Sequence, residues 1–143
     1  MMLREMTGED IPEVAAIERQ CFSQPWSEKG FAEGLESSAV FLVAEEEGRI
    51  AGYIGMYISV PEGEITNVAV APSLRGRGIG KTLVEAMKKW AVDHRVTRIV
   101  LEVRAGNEAA IHVYELTGFV KLGIRKNFYQ FPTEDAFVME VNQ

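Results

Sequence analysis

The sequence predicts a mixed α/β fold (α+β in its partly segregated strands and helices). The expectation is one domain over residues 1–143, with one sheet of about seven strands and about four helices. Three observations carry it. Residues 65–82, I-T-N-V-A-V-A-P-S-L-R-G-R-G-I-G-K-T, read as a strand, a glycine-rich basic loop and the start of a helix. Residues 98–103, R-I-V-L-E-V, are strand-like and follow that helix, so a right-handed crossover would lay them parallel to the first strand. Upstream, strand-like runs broken by Glu47-Gly48 and Pro61-Glu62-Gly63 suit an antiparallel meander.

Taken in order, Met2 to Met6 reads as a short strand. Thr7 is placed to cap a helix containing Ile11, Val14, Ala15, Ile17 and Glu18, with Pro12 in its first turn. Ser23 to Ser27 is a loop, and Ser27 caps a second helix with Phe31 and Leu35 inward. Val40 to Glu46 and Arg49 to Val60 are strands, and the glycines of the second suggest a bend or bulge. The central strand, Glu64 to Val70, is apolar on both faces at Val68-Ala69-Val70 and ends at Pro72, because proline cannot donate to a ladder. A helix over about Gly78 to His94 places Ile79, Leu83, Met87, Trp90 and Ala91 on one stripe. Asn107 begins a helix over Glu108 to Leu116, with Gly118 as its C′ residue. Phe119 to Phe131 and Ala136 to Val141 close the chain as a hairpin around Pro132 to Asp135.

The loop carries the chemistry. Gly76, Gly78 and Gly80 let backbone N–H groups come close to a ligand, and a helix N-terminus favours an anion, most often phosphate. Two familiar phosphate motifs nearly fit and fail. A P-loop ending in Gly80-Lys81-Thr82 needs glycine where Arg75 stands, and G-x-G-x-x-G needs glycine at Lys81.

Composition narrows the ligand. The chain is 47% apolar with a net charge of −6, which argues against nucleic acid as the main partner. The one local basic concentration, Arg75, Arg77 and Lys81, sits on the loop itself. Cys21 is the only cysteine, so no internal disulfide can form and a reducing compartment is expected. With His94 and His112 it makes a poor metal ligand set, so no metal is expected. No run reaches 18 apolar residues and no secretory leader is evident, so a cytoplasmic protein without a membrane span is expected.

A second constellation, E-V-R-A-G-N from Glu102 to Asn107, leads into Ala110, Tyr114, Gly118 and Phe119. Glu102 is a carboxylate within an apolar strand; it either faces solvent, pairs with an arginine, or does chemistry. Tyr114 shares a helix face with Ile111 and reads equally as core or as a functional hydroxyl. Asn107 by itself is a helix cap.

Arg75-x-x-Gly78-x-Gly80 after a V-A-V-A-P strand resembles the acetyl-CoA loop of the GNAT (Gcn5-related) N-acetyltransferases. E-V-R-x-x-N-x-x-A-x-x-x-Y-x-x-x-G-F, with Q-P-W-S at Gln24 to Ser27, resembles their bacterial RimI-type branch, which acetylates the N-terminal alanine of a small-subunit ribosomal protein. Gln24 departs from the pattern, where an apolar residue is expected. The resemblance implies two central parallel strands splayed apart. Acetyl-CoA would have its pyrophosphate on the loop of Arg75, Gly76, Arg77, Gly78, Ile79, Gly80 and Lys81. Its pantetheine arm would run along Val68, Ala69 and Val70 and touch Asn107. The same resemblance implies Glu102 as general base, Tyr114 as general acid, and Trp26 and Tyr129 lining the peptide groove. It implies a ribosomal-protein N-terminus as partner and a monomer or weak dimer. An N-acetyltransferase for a small amine, or a non-catalytic acyl-CoA-binding regulator, are the alternatives.

Overall fold

The computed structural model describes every residue, Met1–Gln143. The strands are β1 (Met2–Glu5), β2 (Ala39–Glu46), β3 (Arg49–Ser59), β4 (Glu62–Val70), β5 (Arg98–Arg104), β6 (Val120–Tyr129) and β7 (Glu134–Asn142). The helices are α1 (Ile11–Cys21), α2 (Glu28–Glu36), α3 (Ile79–Asp93) and α4 (Glu108–Leu116), with 3-10 turns at Gly8–Asp10 and Pro72–Leu74. All seven strands form one sheet in the order β1-β2-β3-β4-β5-β7-β6. Every pair is antiparallel except β4 with β5. No helix is long and apolar enough to cross a membrane.

Alternation along the strands divides the core. Phe41, Val43 and Tyr53 pack with α1 and α2 on one face, while Leu42, Ile54 and Met56 pack with α3 on the other. Leu101 and Val103 of β5 join the α3–α4 core, so Glu102 between them points to the opposite face.

The caps explain where the helices start. Asp10 Oδ2 accepts the Thr7 N–H at 2.8 Å, so Thr7 opens the 3-10 turn rather than α1 itself, which begins at Ile11-Pro12. Ser27 Oγ accepts from Gly30 N and Asn107 Oδ1 from Ala110 N, as expected of N-caps. Gly118, at φ +97°, follows α4.

A further expectation needs correction. The turn expected at Pro61-Glu62-Gly63 lies at Val60-Pro61, and Gly63 is a buried strand residue paired to both Ile58 and Ile99. Glycine stands there for close approach: a Cβ would lie 2.6 Å from Met56 Sδ. The long strand β3 does carry a bulge, at Ala51, which the pairs Ala44↔Gly52 and Glu45↔Ile50 skip. The more consequential bulge is in β4, where Gly55↔Asn67 and Met56↔Ile65 skip Thr66. A bulge bends its strand and sharpens its twist. β4 pairs with β5 only from Glu62↔Arg98 to Glu64↔Val100, and the two strands part just before Thr66.

Candidate active site

The parting of β4 and β5 opens a cleft of about 530 Å³. It brings together Trp26, Val68, Glu102, Asn107, Tyr114 and Tyr129, which lie far apart in the sequence. The α1–α2 loop supplies Trp26, the end of β6 supplies Tyr129, and α4 with its cap supplies Tyr114 and Asn107. A hollow of about 620 Å³ beside α1 is larger, but of the candidate residues it touches only Arg77.

Glu102 reconciles two of the roles open to it. Its side chain is 16% exposed and accepts a hydrogen bond from Arg125 Nη1 at 2.5 Å, yet it still lines the cleft. Burial, and then the Glu102 charge, hold the neighbouring Glu64 carboxyl above the ordinary carboxylate range. Burial and the same Glu102 charge push the Tyr129 hydroxyl up to about 12. Tyr129 also has the Arg104 guanidinium 4.5 Å from its ring centre.

Tyr114 likewise serves packing and cleft at once. Its ring is buried against Phe119, with centroids 5.7 Å apart. Burial raises its hydroxyl well above an ordinary phenol, so it is a protonated donor at neutral pH.

The glycine loop lies beyond this cleft, at the far end of β4. Gly76 (φ +84°) and Gly78 (φ +77°) occupy the left-handed region, and a Cβ on either would meet nothing within 4 Å. Gly78 is the N-cap of α3 and no side chain caps that end, so its first-turn N–H groups stay open to an anion. Ile79 is buried, so only its backbone can contribute there. Arg77 reaches Glu46 at 3.8 Å and Lys81 reaches Glu85 at 3.6 Å, both loosely and near solvent. Arg75 is exposed and donates to Cys21 Sγ at 3.1 Å. Between loop and cleft, Val68, Ala69 and Val70 pair with β3 on one side only, leaving the edge toward β5 without a strand partner.

One buried acid was not singled out from the sequence. Glu18 is 2% exposed at the cleft wall, with Tyr53 and Asn67 beside it. Its signal was present, because it occupies the same buried stripe as Val14, Ala15 and Ile17. A charge on an apolar stripe needs a partner or a task.

A family model described as "Acetyltransferase (GNAT) family" matches residues 11–119. A Bacillus subtilis protein, provisionally named a [ribosomal protein bS18]-alanine N-acetyltransferase, is 38% identical over 141 residues, covering 97% of this chain and 93% of its own. The Escherichia coli [ribosomal protein bS18]-alanine N-acetyltransferase is 34% identical over 134 residues, covering 91% and 89%. The crystal structure of the ribosomal-protein-S18-alanine N-acetyltransferase from Escherichia coli superposes with a TM-score of 0.92 at 31% identity, over 99% of this chain and 92% of that one.

Proposed function

Since this chain belongs to the GNAT acetyltransferase family and so takes its acetyl group from acetyl-CoA, we propose that its acceptor is the α-amine of a protein N-terminus, in the first instance the N-terminal alanine of ribosomal protein bS18. The observation that carries this is the cleft between the splayed strands. It holds a carboxylate, a protonated tyrosine and two aromatic walls beside a free strand edge that leads to an uncapped helix N-terminus.

The residues divide the work as follows. The N–H groups of Gly78 to Lys81 hold the pyrophosphate, helped by the positive end of α3. The unpaired edge of Val68 to Val70 gives backbone partners to the pantetheine amides, and Asn107 lines the cleft together with Val68. An N-terminal ammonium has a pKa near ~8, so at neutral pH most of it cannot attack. Glu102 accepts its proton, directly or through water, and Arg125 keeps the carboxylate oriented. The freed nitrogen bonds to the thioester carbon as the carbon–sulfur bond breaks. A backbone N–H on the free edge of β4 faces the charge that develops on the acetyl oxygen. Tyr114 gives its proton to the leaving sulfur. The products are an N-acetylated peptide and CoA. Cys21 takes no part, since no enzyme-bound acetyl group is needed.

The test offers the purified protein acetyl-CoA with three acceptors: a peptide beginning with alanine as in bS18, the same peptide blocked at its N-terminus but carrying a lysine, and a polyamine. CoA release and peptide mass are followed. The proposal expects acetylation of the first peptide, at its α-nitrogen. Turnover on the polyamine alone would favour a small-amine enzyme. Tight acetyl-CoA binding without turnover on any acceptor would favour a regulator.

A further inference from the structure

Glu18 is the chain's most deeply buried acid, and none of the ion pairs in the structure includes it. Neutral donors alone surround it. Oε1 accepts from the Tyr53 hydroxyl of β3 and, at 3.3 Å, from the Asn67 amide of β4. Oε2 accepts the Trp26 N–H of the α1–α2 loop at 3.0 Å. Only a carboxylate can accept from all three donors on both oxygens; glutamine would turn an NH₂ toward one of them. A buried carboxylate is costly when no cation compensates it. Elsewhere in the chain acids of this kind have an arginine: Asp10 and Glu45 share Arg4, Glu140 has Arg98, and Glu134 has Arg104. Glu18 has none, and it lines the cleft that, in the function proposed above, receives a cation.

Resting on that function, we propose that Glu18 is a positioning and specificity-determining residue of the acceptor subsite: it ties the Trp26 wall to β3 and β4, and its uncompensated charge favours an acceptor bearing an ammonium over a neutral one. Glu18 does not take the proton in this account; Glu102 does. The two acids act at different stages, Glu18 on binding and Glu102 on turnover.

The test is calorimetric binding, to the CoA-loaded protein, of the alanine-initiated peptide and of its desamino analogue, which lacks only the α-amine. Wild type and Glu18→Gln are compared, with acetyl-CoA affinity and circular dichroism as controls. Wild type should prefer the ammonium peptide. Glu18→Gln should weaken that peptide roughly 10-fold while changing the desamino analogue little and acetyl-CoA not at all. Equal weakening of both peptides would mean a merely structural tie, and unchanged preference would mean no role; either result overturns the proposal. Should Glu18→Gln fail to fold, Glu102→Gln answers the same question. A preference for the ammonium peptide that survives in Glu102→Gln supports a second anion in the cleft, and its complete loss overturns the proposal. Failure of wild type to acetylate the alanine peptide would sink the acceptor assignment, and Glu18's role with it. Normal turnover with unchanged preference in Glu18→Gln sinks the Glu18 proposal alone.

Discussion

In the proposed function the loop of residues 75–81 meets its ligand with backbone, whereas Glu102 and Glu18, in the cleft beyond it, act through side chains. The loop end is open. A Cβ on its left-handed glycines would meet nothing within 4 Å, and its arginines and lysine make only loose or sulfur contacts. The carboxylate end is tied. Glu102 is held by Arg125, Glu18 by Tyr53, Asn67 and Trp26, and Tyr114 is packed into the α3–α4 core. The difference follows from what each end must do. A phosphate asks for exposed N–H groups and room, while a proton transfer asks for one carboxylate held at one place. Substitutions at the loop should therefore act chiefly on acetyl-CoA binding, whereas substitutions at the tied end should change acceptor binding, turnover or stability.

The largest effect tests the tied end. Glu102→Gln should lower kcat about 10²–10⁴-fold near neutral pH with acetyl-CoA affinity unchanged. Activity should recover in part as pH rises through ~8, where the amine loses its proton unaided. A pH–rate profile like that of wild type would remove Glu102 from the chemistry. Tyr114→Phe keeps the ring against Phe119 and deletes only the hydroxyl. It should lower kcat by about 10²-fold, the weak end for such groups, without lowering the melting temperature. A lower melting temperature with turnover per folded molecule unchanged would make Tyr114 a core residue only.

Next comes the open end. Gly78→Asp puts bulk and negative charge where the pyrophosphate should sit, and should weaken acetyl-CoA binding on the order of 10²-fold. Gly78→Ala adds a methyl that meets nothing within 4 Å, so its cost comes from φ +77° alone. It should bind acetyl-CoA better than the aspartate variant does. Calorimetric titration of both, with circular dichroism as control, decides; wild-type binding by a folded Gly78→Asp would displace the phosphate site.

Much of this was legible because its signals are local. The Asn107 cap, the Gly118 stop, the glycine loop and the strand after α3 are each read within a few residues, and each stands where expected. The bulge at Thr66 was not, because it exists only in the register of β4 against β3. The network of Glu18 was hidden for the same reason: its donors come from a loop and two strands up to 49 residues away. The face of the sheet that Gly55 serves was likewise unreadable. A Cβ there would lie 2.5 Å from Phe41 Cε1 and 2.7 Å from Asn67 Oδ1. Gly55→Ala should therefore cost about 1–3 kcal/mol of stability, measured by denaturant titration. It makes the counterpart of Gly78→Ala: one glycine is needed for space, the other for backbone angle. Equal stability losses in the two would break that distinction.

The smallest effect contrasts Glu18 with an acid whose cation belongs to the fold. Asp10 accepts from Arg4 Nη1 at 2.7 Å and Nη2 at 2.9 Å, far along the sheet from the cleft. The Arg4 hydrogen bond is the main cause that lowers the Asp10 carboxyl from 3.8 to about 2, with the Thr7 N–H also helping. A folded pKa below the unfolded one means the folded state holds the ionised form more firmly. The contribution to stability is thus complete above about pH 4, fades as pH falls toward about 2, and is gone below both values. It should amount to about 1–2 kcal/mol, since Arg4 is partly exposed and solvent screens the pair. Asp10→Asn should lower the denaturant midpoint at pH 7 and flatten the fall in stability between pH 4 and pH 2, while the Michaelis constants for both substrates stay at wild-type values. A change in either constant would show that this corner of the sheet reaches the cleft, and that the separation between acids paired for the fold and acids left unpaired for a ligand does not hold.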